Sequence, residues 1–378
     1  MKKDTVCIHS ARCTRPEHGA ITTPIYQSAT FVHHGVEDES EYSYSRLQNP
    51  SRRAVETRMA ELEGGVDAIA FSSGMAAEAV MMNLFESSGH IISGDDLYGG
   101  SIRLFRHISM PSGIRFDFTD TSRVENIKPL LRPDTKAVYI ETPSNPLMHV
   151  TDIRAAADIA HAAGALLIVD NTFMTPYFQR PLDLGADIVV YSGTKYLGGH
   201  NDTLAGFLVL KDKELAEKLR FYAKTIGACL APFDCFLIER GLKTLAVRLE
   251  KQEANTRKIA NWLRQSPRAQ KVYYVGFEDH PGFAVTSRQC SGCGAMISVE
   301  FDSVETAENV LRNVKIFQYA ESLGGVESLI TYPMRQTHAD IPEPERLARG
   351  INDRFLRISV GIENADDLIE DLKQAIGG

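Results

Sequence analysis

From Ala68 onward the chain repeats one local pattern: a short run that is apolar at consecutive positions, a turn, then a helix-like stretch. The runs are Ala68-Ile-Ala-Phe71, His90-Ile-Ile-Ser93, Ile114-Arg-Phe-Asp-Phe118, Lys136-Ala-Val-Tyr-Ile140, Ala165-Leu-Leu-Ile-Val-Asp170, Asp187-Ile-Val-Val190 and Leu204 to Leu210. Helices are predicted over Ala76–Phe85, through His107, and over Asp152–Ala163. A strand apolar on both faces leaves no side for water, so helices must cover both. Strand and helix in alternation predict an α/β architecture around a mainly parallel sheet. Ligands in such folds bind beyond the carboxyl ends of the strands.

The flanks read differently. Residues 1–48 show little helical periodicity and predict an extended arm. Asn49-Pro50 then opens a helix, with Asn as N-cap and Pro at the first helical position. Val55, Met59 and Leu62 form its apolar face, and Gly64-Gly65 stops it. An arm followed by such a helix is a candidate dimerisation element. Near residue 232 the texture changes again: Pro232 opens a long helical segment, broken near Gly241, that runs to about Gln265. Strands follow near Lys271-Val-Tyr-Tyr-Val275, Ala295-Met-Ile-Ser-Val299 and Phe355-Leu-Arg-Ile-Ser-Val360, with helices at Val304–Phe317 and Ala365–Ile376, an α+β pattern. The expected organisation is an arm over 1–48, a large α/β domain over 49–231, and a connecting helix with a smaller α+β domain over 232–378.

The totals narrow the class of function. With 378 residues and a net charge of −8, the chain has no basic excess for nucleic-acid phosphates or anionic lipid. A small-molecule partner is expected, with neither nucleic acid nor membrane. Met1-Lys-Lys-Asp4-Thr-Val-Cys-Ile-His9 is too short an apolar run for a signal peptide, and no stretch approaches the roughly 20 apolar residues of a membrane helix. Six cysteines without framework spacing fit a reducing cytoplasm. Cys290-Ser-Gly-Cys293 is a single pair without a second at zinc spacing, and His33-His34 has no ligand-type neighbour, so no metal site is expected.

Chemistry concentrates in Tyr191-Ser-Gly-Thr-Lys195-Tyr-Leu-Gly-Gly-His200. A lysine between hydroxyl residues and a Gly pair, downstream of a strand ending in Asp170, suggests a covalent aldehyde cofactor, for which pyridoxal phosphate is the natural candidate. That cofactor asks for an amine, an acid for its ring nitrogen, and donors for its phosphate. Ser73-Gly74-Met75 lies where a strand gives way to a helix N-terminus, a favourable place for phosphate; Ser192 and Thr194 fall in reach of the same group. Tyr98 could stack on a flat ring. Arg357 offers a guanidinium fork to a substrate carboxylate. The competing P-loop, dinucleotide and hydrolase fingerprints are missing.

Together the motifs resemble the Cys/Met-metabolism family of pyridoxal-phosphate enzymes, the group of cystathionine γ-synthase, cystathionine β- and γ-lyases and methionine γ-lyase. The likeness runs through Tyr44-Ser-Arg46 with Asn49-Pro50, Phe71-Ser-Ser-Gly-Met-Ala-Ala77, Asp96-Leu-Tyr-Gly-Gly100, Glu141-Thr-Pro-Ser-Asn-Pro146, Val169-Asp-Asn-Thr172, Ser192-Gly-Thr-Lys-Tyr-Leu-Gly-Gly199, Glu321-Ser-Leu-Gly-Gly-Val-Glu-Ser328 and Arg357-Ile-Ser-Val-Gly361. It implies the aminotransferase-like type I fold with a seven-stranded-type sheet.

The resemblance further implies that Lys195 carries pyridoxal 5'-phosphate covalently, Asp170 pairs with its ring nitrogen, and Tyr98 stacks on the ring and shuttles protons. Gly74, Met75, Ser192 and Thr194 would hold the phosphate. Tyr44 and Arg46 would reach the site of a neighbouring subunit, making a homo-oligomer, a tetramer of active dimers. Asn145, Ser322 and Arg357 would position a sulfur amino acid, and Glu327 matches an acidic residue of γ-acting members. Gly100 stands where methionine γ-lyases have cysteine, and Ser43 departs from the acid many γ-acting members carry there. Leu230-Ala-Pro-Phe-Asp234 and Asp279-His-Pro-Gly282 read like β-lyases. The expectation is a carbon–sulfur lyase, with β-lyase, γ-lyase and γ-synthase left open. A non-catalytic binding protein on this fold would lack the lysine that is present here.

Overall fold

The computed structural model describes residues 1–10, 17–37, 40–85, 87–339 and 341–377. Seven strands build the first sheet: β1 (Asp67–Phe71), β2 (His90–Gly94), β3 (Arg115–Thr119), β4 (Thr135–Glu141), β5 (Leu166–Asp170), β6 (Ile188–Ser192) and β7 (Gly206–Leu210). Their order across the sheet is β1-β7-β6-β5-β4-β2-β3. The pairs from β3 to β6 are parallel, and β7 runs antiparallel to both β6 and β1. Two reversals in succession leave β1 pointing the same way as β6. The carboxyl ends of β1, β2, β4, β5 and β6 therefore share one edge, where the loops bearing Gly74, Tyr98, Asn145, Asp170 and Lys195 emerge.

Apolar side chains from both faces of this sheet enter two separate clusters. One gathers Val138, Val169 and Tyr191 with Met59 and Leu249; the other gathers Tyr139, Ile168 and Val190 with Ala77 and Phe105. The alternating membership of β5 residues shows helices on both sides, as its doubly apolar sequence requires. The helix Pro50–Glu63 covers one face; it is capped by Asn49, whose side chain accepts the N–H of Ser51, and ends at Gly64 in the left-handed region.

A second sheet, ordered β10-β11-β12-β9-β8, is made of β8 (Ala269–Tyr273), β9 (Met296–Phe301), β10 (Gln318–Tyr319), β11 (Leu329–Thr331) and β12 (Phe355–Ser359). The long helical segment is two helices, Pro232–Leu242 and Leu245–Gln265. Among the described residues no helix is long and apolar enough to cross a membrane.

Several elements differ from the reading of the sequence. Residues 3–8 of the expected arm form a short helix, because Val6 and Cys7 bury themselves and Arg58 Nη1 binds their carbonyls at 3.1 and 3.2 Å. The helix starting at Val304 stops at Asn313 rather than continuing to Phe317. Asp371 takes the N–H groups of Lys315, Ile316 and Phe317 at 2.8–3.0 Å, which holds that stretch out of helical geometry. A further helix, Lys213–Ile226, capped by Asp212 and ended by Gly227, went unassigned, as did the short strands β10 and β11.

The arm-side helices are tied together by a buried ion pair. Arg58 meets Glu239 through Nε and Nη2, the closest approach being 2.6 Å, with both side chains almost wholly enclosed. Removing one partner leaves the other charged in the interior. Glu239→Leu is expected to cost about 3–5 kcal/mol, read as a lowered Tm, and adding Arg58→Met should recover much of the loss. A double variant no more stable than the single one would show that the pair itself is not the source.

Candidate active site

The strand ends enclose a cavity of about 170 Å³ lined by Gly74, Met75, Tyr98, Asn145, Asp170, Ser192, Thr194 and Lys195, with Glu78 and Glu141 also in its wall. Lys195 follows β6 in a self-bonded turn: its N–H reaches the Ser192 carbonyl at 3.3 Å, and its own carbonyl accepts the N–H of Gly199 at 2.8 Å. The Nζ donates to Ser322 Oγ at 2.8 Å. Burial, reinforced by the Arg357 guanidinium and opposed by Glu321, lowers the amine to about 8.

Asp170 ends β5 with 8% exposure. Its Oδ1 accepts the Thr172 N–H at 2.9 Å. Burial pushes the carboxyl up to about 6, while the bonds from Thr172 limit the rise. Thr172 Oγ1 in turn accepts the Ser192 N–H at 2.9 Å, fastening the end of β5 to that of β6.

The helix Gly74–Met81 starts at the cavity. Its cap, Ser73, takes the N–H of Ala76 on its side chain and the N–H of Ala77 on its carbonyl, both at 3.1 Å. The N–H groups of Gly74 and Met75 thus remain at the positive end of the helix dipole. Ser192 faces them: a Cβ added at Gly74 would stand 3.2 Å from Ser192 Cβ. Gly206 makes this corner possible, since a Cβ there would lie 2.0 Å from the Ser73 carbonyl oxygen. Thr194 Oγ1 accepts the Ala205 N–H at 3.0 Å, which fixes the next residue before Lys195.

These residues fit pyridoxal phosphate. Asp170 has no ion-pair partner among the described residues, and Lys195 has only a hydroxyl as hydrogen-bond partner; both would be costly as isolated buried charges. A protonated ring nitrogen answers the first and an aldehyde carbon the second, while the free helix end suits a phosphate.

Tyr98 stands just before the helix Gly99–Leu104. Its N–H donates to Glu141 Oε2 at 2.8 Å, and burial raises its hydroxyl above the usual tyrosine range. A Cβ at Gly100 would come within 2.4 Å of the Tyr98 ring and 3.0 Å of Met75 Sδ, so the ring's position depends on a residue with no side chain there.

Arg357 lies in β12 and is 2% exposed. Its Nη1 donates to Asn145 Oδ1 at 2.9 Å, and its Nη2 to the Ser322 carbonyl at 3.0 Å and Thr331 Oγ1 at 3.1 Å. All three acceptors are neutral. Burial lowers the guanidinium to about 10, which leaves it charged at neutral pH. Ser322 itself has φ of 119°, a left-handed value that is strained for a serine.

An outer cleft of about 850 Å³ shares Thr194 and Leu204 with the inner cavity and adds Glu321, Ser322, Glu327 and Asn201. Glu327 is in this cleft, accepting from Asn201 Nδ2 at 2.7 Å. Glu321 was missed in the sequence, yet its charge is felt at Lys195, Tyr98 and Arg357. Glu141 was missed too, although it opens the Glu141-Thr-Pro-Ser-Asn-Pro146 block. Tyr44 and Arg46 are not brought to the cavity of their own chain. The Arg46 guanidinium sits 5.5 Å from the Tyr44 ring centre and donates to the Lys224 carbonyl at 2.5 Å, beside a separate groove. Cys290 and Cys293 are free thiols, and Cys290 Sγ donates to Gln179 Oε1 at 2.9 Å.

Residues 4–377 match the model of the family described as Cys/Met metabolism PLP-dependent enzyme. The chain is 49% identical over 376 residues to the cystathionine gamma-lyase of Bacillus subtilis (strain 168), spanning 100% of this chain and 99% of that one. It is 46% identical over 372 residues to the cystathionine beta-lyase of Lactococcus lactis subsp. cremoris (strain MG1363), with 98% of each covered. The solved structure of the cystathionine gamma-lyase from Lactobacillus plantarum complexed with L-serine superposes with a TM-score of 0.97 at 42% identity, covering 99% of this chain and 98% of that one. The fold is that of type I pyridoxal-phosphate enzymes, and the chain belongs to the Cys/Met metabolism family of PLP-dependent enzymes.

Proposed function

We propose that this chain is a carbon–sulfur lyase that eliminates a thiol from cystathionine or a closely related sulfur amino acid. The observation that carries the reading is Arg357: a guanidinium almost wholly buried, held among the described residues by neutral acceptors, one of them Ser322, whose hydroxyl accepts from the buried Lys195 amine. A buried charge of this kind needs a counter-ion, and the carboxylate of an amino acid supplies one in bidentate form. The outer cleft carries Glu321 and Glu327 and suits the distal ammonium of a substrate with two amino-acid ends. The names of the relatives, lyases of cystathionine, agree with this choice.

Lys195 would hold the cofactor, Asp170 its ring nitrogen, and Gly74, Met75, Ser192 and Thr194 its phosphate. When bound, the cofactor supplies an electron sink that makes the Cα–H acidic. Lys195, lowered to about 8, then takes that proton, since its neutral form is far more accessible near neutral pH than that of an ordinary lysine. Tyr98 stays protonated and gives its proton to the departing sulfur. Asn145, Ser322 and Arg357 orient the substrate through its carboxylate, and the hydrogen bond from Lys195 Nζ to Ser322 Oγ keeps the base beside it.

The same reading places Tyr44 and Arg46 in the site of a neighbouring subunit, with the dimer as active unit and a tetramer built from two. It also keeps the division into an arm over 1–48 and domains over 49–231 and 232–378. The five described cysteines are free thiols, in keeping with a reducing cytoplasm.

Incubation with cystathionine alone tests the reaction. Pyruvate with homocysteine identifies a β-lyase and 2-oxobutyrate with cysteine a γ-lyase; no turnover without an acylhomoserine would sink the lyase reading in favour of the synthase. Lys195→Ala should leave no borohydride-fixable cofactor. Because the neutral amine is the nucleophile, adduct formation on adding pyridoxal phosphate to wild-type apoprotein should accelerate as pH rises and level off above about 8. A midpoint at the ordinary lysine value of 10.5 would contradict the environment described here. Mixing subunits carrying Arg46→Ala with subunits carrying Lys195→Ala should restore part of the activity if the site is shared, and none if it is not.

A further inference from the structure

The cavity wall holds an acid that the reading above leaves without a task. Glu78 lies one turn into the helix Gly74–Met81 and is 3% exposed. Its Oε1 accepts the Ser101 hydroxyl at 2.9 Å. Its Oε2 has no hydrogen-bond partner among the described residues, although the side chain lines the same cavity as Asp170 and Lys195. The Tyr139 hydroxyl, also buried, lies close enough to favour the charged form but outside hydrogen-bond geometry.

We propose that Glu78 is a positioning acid of the cofactor cavity: through the charge state of its buried carboxyl, whose Oε2 is unpartnered among the described residues, it sets how much negative charge faces the cofactor ring beside Asp170. The inference rests on a cofactor held by Lys195. The groups that face Glu78 are known from each neighbouring element. Asp170 comes from β5, Tyr139 and Glu141 from β4, Tyr98 and Ser101 from the loop and helix after β2, and Lys195 from the turn after β6. Asp170 and Glu141 are register partners on adjacent strands. Three carboxyls in one desolvated place cannot all ionise for a single ring cation.

The environment orders them. Burial, and next the Asp170 charge, raise Glu78 to about 8, with Ser101 and Tyr139 opposing, while Asp170 sits at about 6. Glu141 is raised well above the carboxylate range by burial first and Asp170 second. Between those values Asp170 is charged and Glu78 neutral. As pH rises further, Glu78 releases its proton to solvent and a second negative charge appears in the wall. That charge favours protonated forms of the lysine-bound cofactor, so it raises the midpoint of the cofactor's visible titration and broadens the curve, since loss of either proton makes the other harder to remove.

The visible absorbance of the holoenzyme, followed against pH, tests this. Glu78→Gln should retain borohydride-fixed cofactor on Lys195, lower the midpoint by about one pH unit and sharpen the curve to one proton. Ser101→Ala keeps the carboxyl but removes the hydroxyl that favours its charged form, so it should move the midpoint the same way by less. Should Glu78→Gln fail to hold cofactor, the Ser101→Ala titration decides alone. Wild-type midpoint and shape in the variants that hold cofactor would overturn the proposal, and loss of borohydride-fixed cofactor from wild type itself would instead overturn the assignment of Lys195.

Discussion

Asp170 stands at the end of an apolar strand with its carboxyl in the interior, and a carboxylate there must find a cation or keep a proton. The sheet leaves it little choice of neighbours. Register sets Glu141 beside it on β4, and the chain that follows supplies only the Thr172 bonds. Both core clusters press on β5, so the strand cannot shift to carry the acid toward water. The site is therefore organised around a charge that protein groups alone do not answer, and the fixed hydrogen bonds around it orient the remaining parts. Tyr98 is placed by Glu141, Ser192 by Thr172, and the helix end at Gly74 by Ser73.

The second sheet meets the first under the same constraint with the sign reversed. Arg357 brings a positive charge to the boundary and is held by acceptors from three separate segments: Asn145 after β4, Ser322, and Thr331 on β11. Ser322 is the junction. Its carbonyl takes Arg357, its hydroxyl takes Lys195, and its backbone occupies a left-handed conformation that costs on the order of 1–3 kcal/mol. Both its hydroxyl and its carbonyl are held by basic side chains, which offsets strain of that size.

Much of this was legible in the sequence because the signals are local. Consecutive apolar residues declare a strand buried on both faces, Asn49-Pro50 declares a helix start, and a carboxylate closing such a strand declares an unmet charge. Lys195 was legible by its setting of hydroxyls and glycines. What escaped depends on contacts distant in sequence. The helix beginning at Val304 ends early because Asp371, far along the chain, captures the N–H groups of Lys315, Ile316 and Phe317. Glu78 reads as an ordinary polar residue in an Ala-rich helix, and only the fold shows that it points into the cavity wall. Glu321 looked like a neighbour of Ser322 and gained meaning from its field at Lys195 and Tyr98. Lys213–Ile226 did carry its signals, Asp212 as cap and Gly227 as stop, with Leu215, Leu219 and Tyr222 at helical spacing; no distant contact was needed to find it.

The unmet charges also bear on stability. Among the described residues Asp170 has no cationic ion-pair partner, Arg357 is held by neutral acceptors, and two N–H groups at the helix end at Gly74 have no acceptor. On the proposed reading a protonated ring nitrogen, an amino-acid carboxylate and a phosphate would answer these in turn, and each only in the folded state that brings the segments together. Any ligand that binds the folded chain and not the unfolded one shifts the folding equilibrium by RT ln(1 + L/Kd), where L is the free ligand concentration. The loops that carry Tyr98, Asn145 and Lys195 line one cavity, and Ser322 lines the cleft beside it. The same burial that makes these charges electrostatically costly fixes their geometry, and the hydrogen bond from Lys195 Nζ to Ser322 Oγ at 2.8 Å ties the amine to that frame.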